Sequence, residues 1–90
     1  MSEIRNNTAE SRFELDVEGH LAVAYYDFSP GVITFTHTEV PDALSGRGIG
    51  SKLAKGVLDA ARAQKLKVVA KCPFIAGYIG KHPEYQDLVK

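Results

Sequence analysis

Between Arg12 and Val17 apolar and polar residues alternate one by one, with Phe13, Leu15 and Val17 set against Arg12, Glu14 and Asp16. That period of two predicts a strand with one wet face. Glu18-Gly19 supplies a turn, and the run from His20 to Phe28 is apolar on both parities, which predicts a strand covered on both sides. Ser29, Pro30 and Gly31 close it. In the third strand, VITFTHTEV, Ile33 and Phe35 share a parity with His37 and Glu39, so the core face is expected to turn polar toward the strand's end. A weaker strand is predicted over Glu3 to Thr8.

Beyond Pro41 the period changes. Ile49, Leu53, Val57 and Ala60 recur at helical spacing, widened by Leu58 and Ala61, and predict a helix from Gly50 toward Gln64 that ends at Lys65. Lys67 to Lys71 is short and β-branched, and is expected to return beside the third strand as the second arm of a right-handed β-α-β unit. Cys72 precedes Pro73, a residue favoured at a helix start, so a short helix is predicted with Phe74, Tyr78 and His82 on one face and Ile75 and Ile79 on another. His82-Pro83 interrupts it. The expected fold class is α/β (α+β): a mainly antiparallel sheet, one β-α-β unit and a short C-terminal helix, in a single domain over residues 1–90.

Ninety residues with 44% hydrophobic content suffice for one core. The longest strictly apolar stretch, Leu21 to Tyr26, is far short of the ~20 residues that cross a bilayer, and the MSEIRNN start has no apolar segment for secretion. The expectation is a cytoplasmic protein without a membrane partner. Its lone cysteine, Cys72, can form neither an internal disulfide nor a cysteine-rich zinc site.

The net charge of zero argues against nucleic-acid binding by bulk electrostatics, yet it conceals a segregation. Residues 1–45 carry two basic and eight acidic groups, whereas residues 46–81 carry eight basic groups against Asp59 alone. This asymmetry suits a protein that meets an anion with one half and a cation with the other.

The stretch Ser45-Gly46-Arg47-Gly48-Ile49-Gly50-Ser51-Lys52 places three alternating glycines between a strand and a helix. Glycine lets the main chain approach a ligand closely, and a helix start offers unpaired N–H groups and positive dipole potential. Arg47 and Lys52 add charge, so the loop is a candidate phosphate cradle. It is not a P-loop: five residues after Gly46 comes Ser51, and Leu53 follows Lys52. It is not a dinucleotide fingerprint either, because Ser51 occupies the third glycine's place.

The loop resembles motif A of the GNAT superfamily of N-acetyltransferases, commonly [QR]-x-x-G-x-[GA], with Gly48-Ile49-Gly50 as its second half and Ser45 where glutamine or arginine is usual. Together with HTEVP before it, GIGSKLAKGVLDAAR through the helix and CPFIAGYIGKHPEYQDLV after it, the stretch from His37 to Val89 is similar to the small cysteine-containing GNAT-like proteins. The resemblance implies acetyl-CoA as acetyl donor and an amine acceptor, either a small molecule or a protein lysine. It implies that main-chain amides over Gly46, Arg47, Gly48, Ile49, Gly50, Ser51 and Lys52 hold the diphosphate, with Phe74 as a further contact. It also implies that the third strand splays from its neighbour, so that Thr38 to Val40, including Glu39, offers a main-chain N–H to the acetyl carbonyl. Pro41 is expected to stop further pairing there. Longer members carry an amino-terminal helical segment that helps form the acceptor site, and no counterpart to it is expected in this chain.

Transfer to an amine requires a proton acceptor, a polarised carbonyl and a stabilised leaving thiolate. His37, at the end of the apolar stripe, is the candidate base, since histidine is the side chain that titrates near neutrality, and Glu39 competes with it. Cys72 shares parity with Val68 and Ala70 and is expected to point inward. A thiol at a helix amino terminus meets N–H donors and positive potential, which favour a nucleophile, and the resemblance puts this cysteine beside the donor's sulfur. It also implies Tyr78 as the acid that protonates the departing thiolate.

No metal is expected. Two other readings remain open: a CoA-binding or interaction protein with little activity, and an RNA-binding module using the G-x-x-G of Gly77-Tyr78-Ile79-Gly80. Monomer and homodimer are both compatible with the sequence.

Overall fold

A computed structural model describes residues 4–44 and 46–90. Glu3 and Ser45, which enter the predicted first strand and the motif comparison, lie outside the described residues. The strands are β1 (Ile4–Asn7), β2 (Arg12–Val17), β3 (His20–Ser29), β4 (Val32–Glu39) and β5 (Lys67–Ala70), and the helices are α1 (Ile49–Ala63) and α2 (Pro73–Lys81). Short 3-10 turns cover Thr8–Glu10, Asp42–Leu44 and Pro83–Leu88. None of the three is among the elements expected from the sequence.

The five strands lie in chain order, antiparallel from β1 to β4 and parallel between β4 and β5. Topology follows from the connections. Glu18 and Gly19 both have positive φ, 52° and 82°, the mirror-image turn that matches the twist of a two-residue hairpin. α1 provides the long crossover that the parallel pair requires. Lys65, at φ 58°, ends that helix in the left-handed region, with Leu66 N–H donating to Ala61 C=O at 2.9 Å.

One sheet face carries the core. Phe13, Leu15, Ala22, Ala24, Phe35 and Val68 pack there with Leu53, Val57 and Leu58 of α1 and with Ile75 and Ile79 of α2. α1 lies so close to β1 that a Cβ on Gly56 would fall 1.8 Å from Ile4 Cδ1. The opposite face corrects the expectation for β3: no helix among the described residues covers its second apolar parity. Val23 is buried yet stands outside the core cluster, and its neighbours on that face are Glu14 and Glu39.

The chain's last residues fold back along β5. Val89 forms a parallel bridge to Val68, and Lys90 N–H donates to Val68 C=O at 3.0 Å. No helix among the described residues is long and apolar enough to cross a membrane.

Candidate functional site

β4 and β5 pair from Val32↔Lys67 to Phe35↔Ala70 and then part. The carbonyl of Phe35 closes the ladder by accepting from both Lys71 N–H and Cys72 N–H, each at 3.0 Å. At the same level β4 carries an irregularity against β3: Tyr26 pairs with Phe35 but Tyr25 pairs with His37, leaving Thr36 as an extra residue. Such a bulge bends its strand and raises the local twist, which carries the end of β4 away from β5.

The bulge also resets the parity of every residue after it. His37 lies opposite Tyr25 on the open sheet face, their rings stacked with centroids 6.2 Å apart, and Glu39 lies opposite Val23. His37 Nε2 is 3.3 Å from Glu39 Oε2, and both side chains are more than 60% exposed. The expectation that these two continue the core face after Ile33 and Phe35 is therefore corrected. The core position belongs to Thr38, which pairs with buried Ala24 and whose Oγ1 lies 3.3 Å from Cys72 Sγ.

Peptide orientation follows from the same register. Tyr26 N–H donates to Ser11 C=O on the β2 side at 2.9 Å, so Tyr25 and Val23 turn their peptide groups to β4, facing His37 and Glu39. The peptide of Thr38, between those two, is turned into the gap left by β5. Val40, just past the strand, is partly buried against the core.

Cys72 caps the amino end of α2 and is buried, 4% exposed. Its neighbour along the gap is the amino end of α1. Gly46 and Gly48 have φ of 76° and 71°, and Gly48 is the cap residue of α1, without a side-chain hydrogen bond and with no acidic residue in the first turn. The first intrahelical donor is Lys52 N–H, to Gly48 C=O at 3.1 Å. The N–H groups of Ile49, Gly50 and Ser51 are therefore without helical partners, a concentration of donors suited to an anion. Gly50 has a different function: a Cβ there would lie 2.7 Å from Phe74 Cζ, so its absence lets the two helix starts meet.

A cavity of about 250 Å³ opens beside this junction, lined by Ser51, Phe74, Gly77, Tyr78, Lys81 and His82. Tyr78 stacks on His82 with ring centroids 3.8 Å apart, and His82 Nδ1–H donates to the main-chain carbonyl of Tyr78 at 2.8 Å, which fixes the imidazole against the phenol ring. The structure thus sets Cys72 against Thr38 at the gap, Gly50 and Ser51 against Phe74 and Tyr78 at the junction of the two helix starts, Gly46, Gly48 and Ile49 at the turn into α1, and His37 and Glu39 on the open sheet face.

Arg47 pairs with Glu18 at the β2–β3 hairpin, and the arginine's hydrogen bond holds the Glu18 carboxyl below its usual value. Lys52 is exposed and makes no ion pair among the described residues. The side chains of Thr38, Lys81 and His82 were missed as site residues. The i, i+4 spacing of Tyr78 and His82 signals their shared face, but no local signal pairs Thr38 with Cys72. The G-x-x-G of residues 77–80 lies within continuous α2 rather than interrupting it, so it forms no loop for an RNA backbone.

Comparison with known proteins agrees with this geometry. A solution structure of a GCN5-like protein from Staphylococcus aureus superposes with a TM-score of 0.74 at 37% identity, covering 98% of this chain and 87% of that one. Protein NATD1 of Mus musculus is 40% identical over 68 residues, covering 74% of this chain and 62% of that protein, and Protein NATD1 of Danio rerio is 32% identical over 71 residues, covering 76% and 64%. The chain thus spans less than two thirds of the length of these curated relatives. The model of the GCN5-related N-acetyltransferases matches residues 12–88, from the first residue of β2 to the last 3-10 turn. A splayed parallel strand pair, a glycine-turned helix start and this extent of sequence likeness coincide in one chain, which therefore belongs to the GCN5-related N-acetyltransferase family.

Proposed function

We infer that the protein transfers an acetyl group from acetyl-CoA to an amine. The observation that carries this reading is the bulge-driven parting of β4 from β5, with the Thr38 peptide turned into the gap beside the uncapped start of α1. Acetyl-CoA supplies an activated thioester. The N–H groups of Ile49, Gly50 and Ser51, behind the turn at Gly46 and Gly48, hold its diphosphate, and Lys52 adds positive charge. Arg47 reaches the same anion by exchanging Glu18 for it. Phe74 and Tyr78 line the adjacent cavity.

The Thr38 N–H donates to the acetyl carbonyl as negative charge develops there. His37, oriented by Glu39 and the Tyr25 ring, takes the proton of the amine on the open sheet face. Tyr78, held by His82, returns a proton to the departing thiolate. The base and Cys72 lie on opposite sides of the gap, which favours direct attack by the amine over a route through an acetylated cysteine.

Intact-mass spectrometry after incubation with acetyl-CoA and a panel of amines, including lysine peptides and polyamines, tests the reading. Acetylated product is expected with wild type and with Cys72→Ala, and loss of turnover is expected with His37→Gln. Acetyl label retained on Cys72 and obligatory for product would replace direct attack by the two-step route. Tight CoA binding with no product from any amine would support a CoA-binding protein instead, and no CoA binding would end the reading.

A further inference from the structure

A second cavity, of about 330 Å³, lies at the other end of α1 from the glycine turn and shares no residue with the gap or the α2 cavity. Its floor is apolar and well packed: Phe13, Tyr26, Ile33 and Leu66 are each at most 9% exposed. Its rim includes Phe28, a residue 60% exposed although it pairs with buried Ile33 on the core side of the sheet. A large aromatic residue left open at the mouth of an apolar hollow is uncovered surface that a bound ring would bury.

The chemistry of the lining restricts the occupant. No lining side chain among the described residues is charged, so neither the phosphates of a nucleotide nor an ammonium group finds a counter-ion. The polar groups present are neutral: the amides of Asn6 and Gln64 and the hydroxyls of Thr8, Ser11 and Tyr26. Asn6 is already oriented, because Tyr26 Oη–H donates to its Oδ1 at 2.6 Å. With Oδ1 so engaged, the donors of that amide are its Nδ2 hydrogens, which a ligand acceptor complements. The tilted pair of Phe13 and Tyr26, with centroids 5.4 Å apart, offers faces and edges to a planar group.

We propose that this cavity is a binding site for a neutral, planar, ring-bearing small molecule with a carbonyl or ring-nitrogen acceptor, separate from the acetyl-transfer site. Its volume falls at the small end of the range for ligand pockets, about 300–1,000 Å³, which suits one or two fused rings.

The test is a titration of the ¹⁵N-labelled chain with benzamide and isoquinolinone, and with benzoate and benzylamine as charged counterparts of similar shape. The neutral probes are expected to shift the amide signals of Asn6, Thr8, Phe28 and Gln64 saturably and to leave Gly48, Thr38 and Cys72 in place. The charged probes should bind about tenfold more weakly or worse. Phe28→Ala, at an exposed position, should weaken the neutral probes by a similar factor with the remaining spectrum unchanged. Ala60→Leu, which narrows the cavity, should also reduce binding. Absence of saturable shifts, shifts centred on the gap, or equal binding of benzoate would overturn the proposal. Sedimentation showing a pair of chains that Phe28→Ala dissociates would assign the cavity to a second copy and likewise overturn it.

Discussion

At Gly48 the backbone sits at φ 71° with nothing near the position a Cβ would take, whereas at Gly50 the backbone is helical and a Cβ would meet the Phe74 ring. The same substitution therefore has different consequences two residues apart. Gly48→Ala should cost about 1–2 kcal/mol through the left-handed conformation, measurable by chemical denaturation. Gly48→Glu should in addition abolish CoA binding in calorimetry, because bulk and negative charge enter the proposed anion cradle. Gly50→Ala should leave stability within about 1 kcal/mol, since a better helix former offsets the crowding. It should nevertheless weaken acetyl-CoA by displacing the partly exposed Phe74 ring. The glycine turn and the helix start behind it were legible in the sequence because they are built from consecutive residues. The contact of Thr38 with Cys72 was not, since 34 positions separate them and only the fold joins them.

Strands and helices were legible wherever a turn residue bounded a periodic run, as at Glu18-Gly19, at Pro30-Gly31 and at Lys65. The bulge was not, because threonine occupies positions 34, 36 and 38 alike, and a repeated residue gives no sign that one member is supernumerary. That single extra residue inverted the assigned faces of His37, Thr38 and Glu39. Its structural role can be isolated: deleting Thr36 keeps the Tyr25↔His37 and Tyr26↔Phe35 pairings and therefore the same inward residues. The shortened β4 should remain folded by circular dichroism while lying straighter against β5, with acetyl-CoA affinity falling about tenfold or more. Unchanged affinity in a folded deletion variant would show that the gap does not depend on the bulge.

Across the whole molecule the contrast between an acidic and a basic half is softened by folding. Arg47 meets Glu18, and within the amino-terminal half Arg5, Asn7 and Arg12 converge on Glu14, at 2.6, 2.9 and 2.6 Å. Hydrogen bonds from Arg5 first, then Asn7 and Arg12, hold the Glu14 carboxyl at about 2, below its ordinary 4.5. A depressed folded value stabilises the ionised state, so this contribution is complete above about 4.5 and is lost as pH falls through about 2. Denaturation series from pH 6 to 2 should therefore show a smaller acid-dependent loss in Glu14→Gln than in wild type. The remaining slope should come from Glu18, Asp59 and Asp87, which are also held below their ordinary values. The backward fold of Val89 and Lys90 has its own consequence at this scale. With that tail laid along β5, the outer margin left unpaired among the described residues is that of β1. Among the described residues a building block with one adhesive side favours a single head-to-head mate over an endless ribbon.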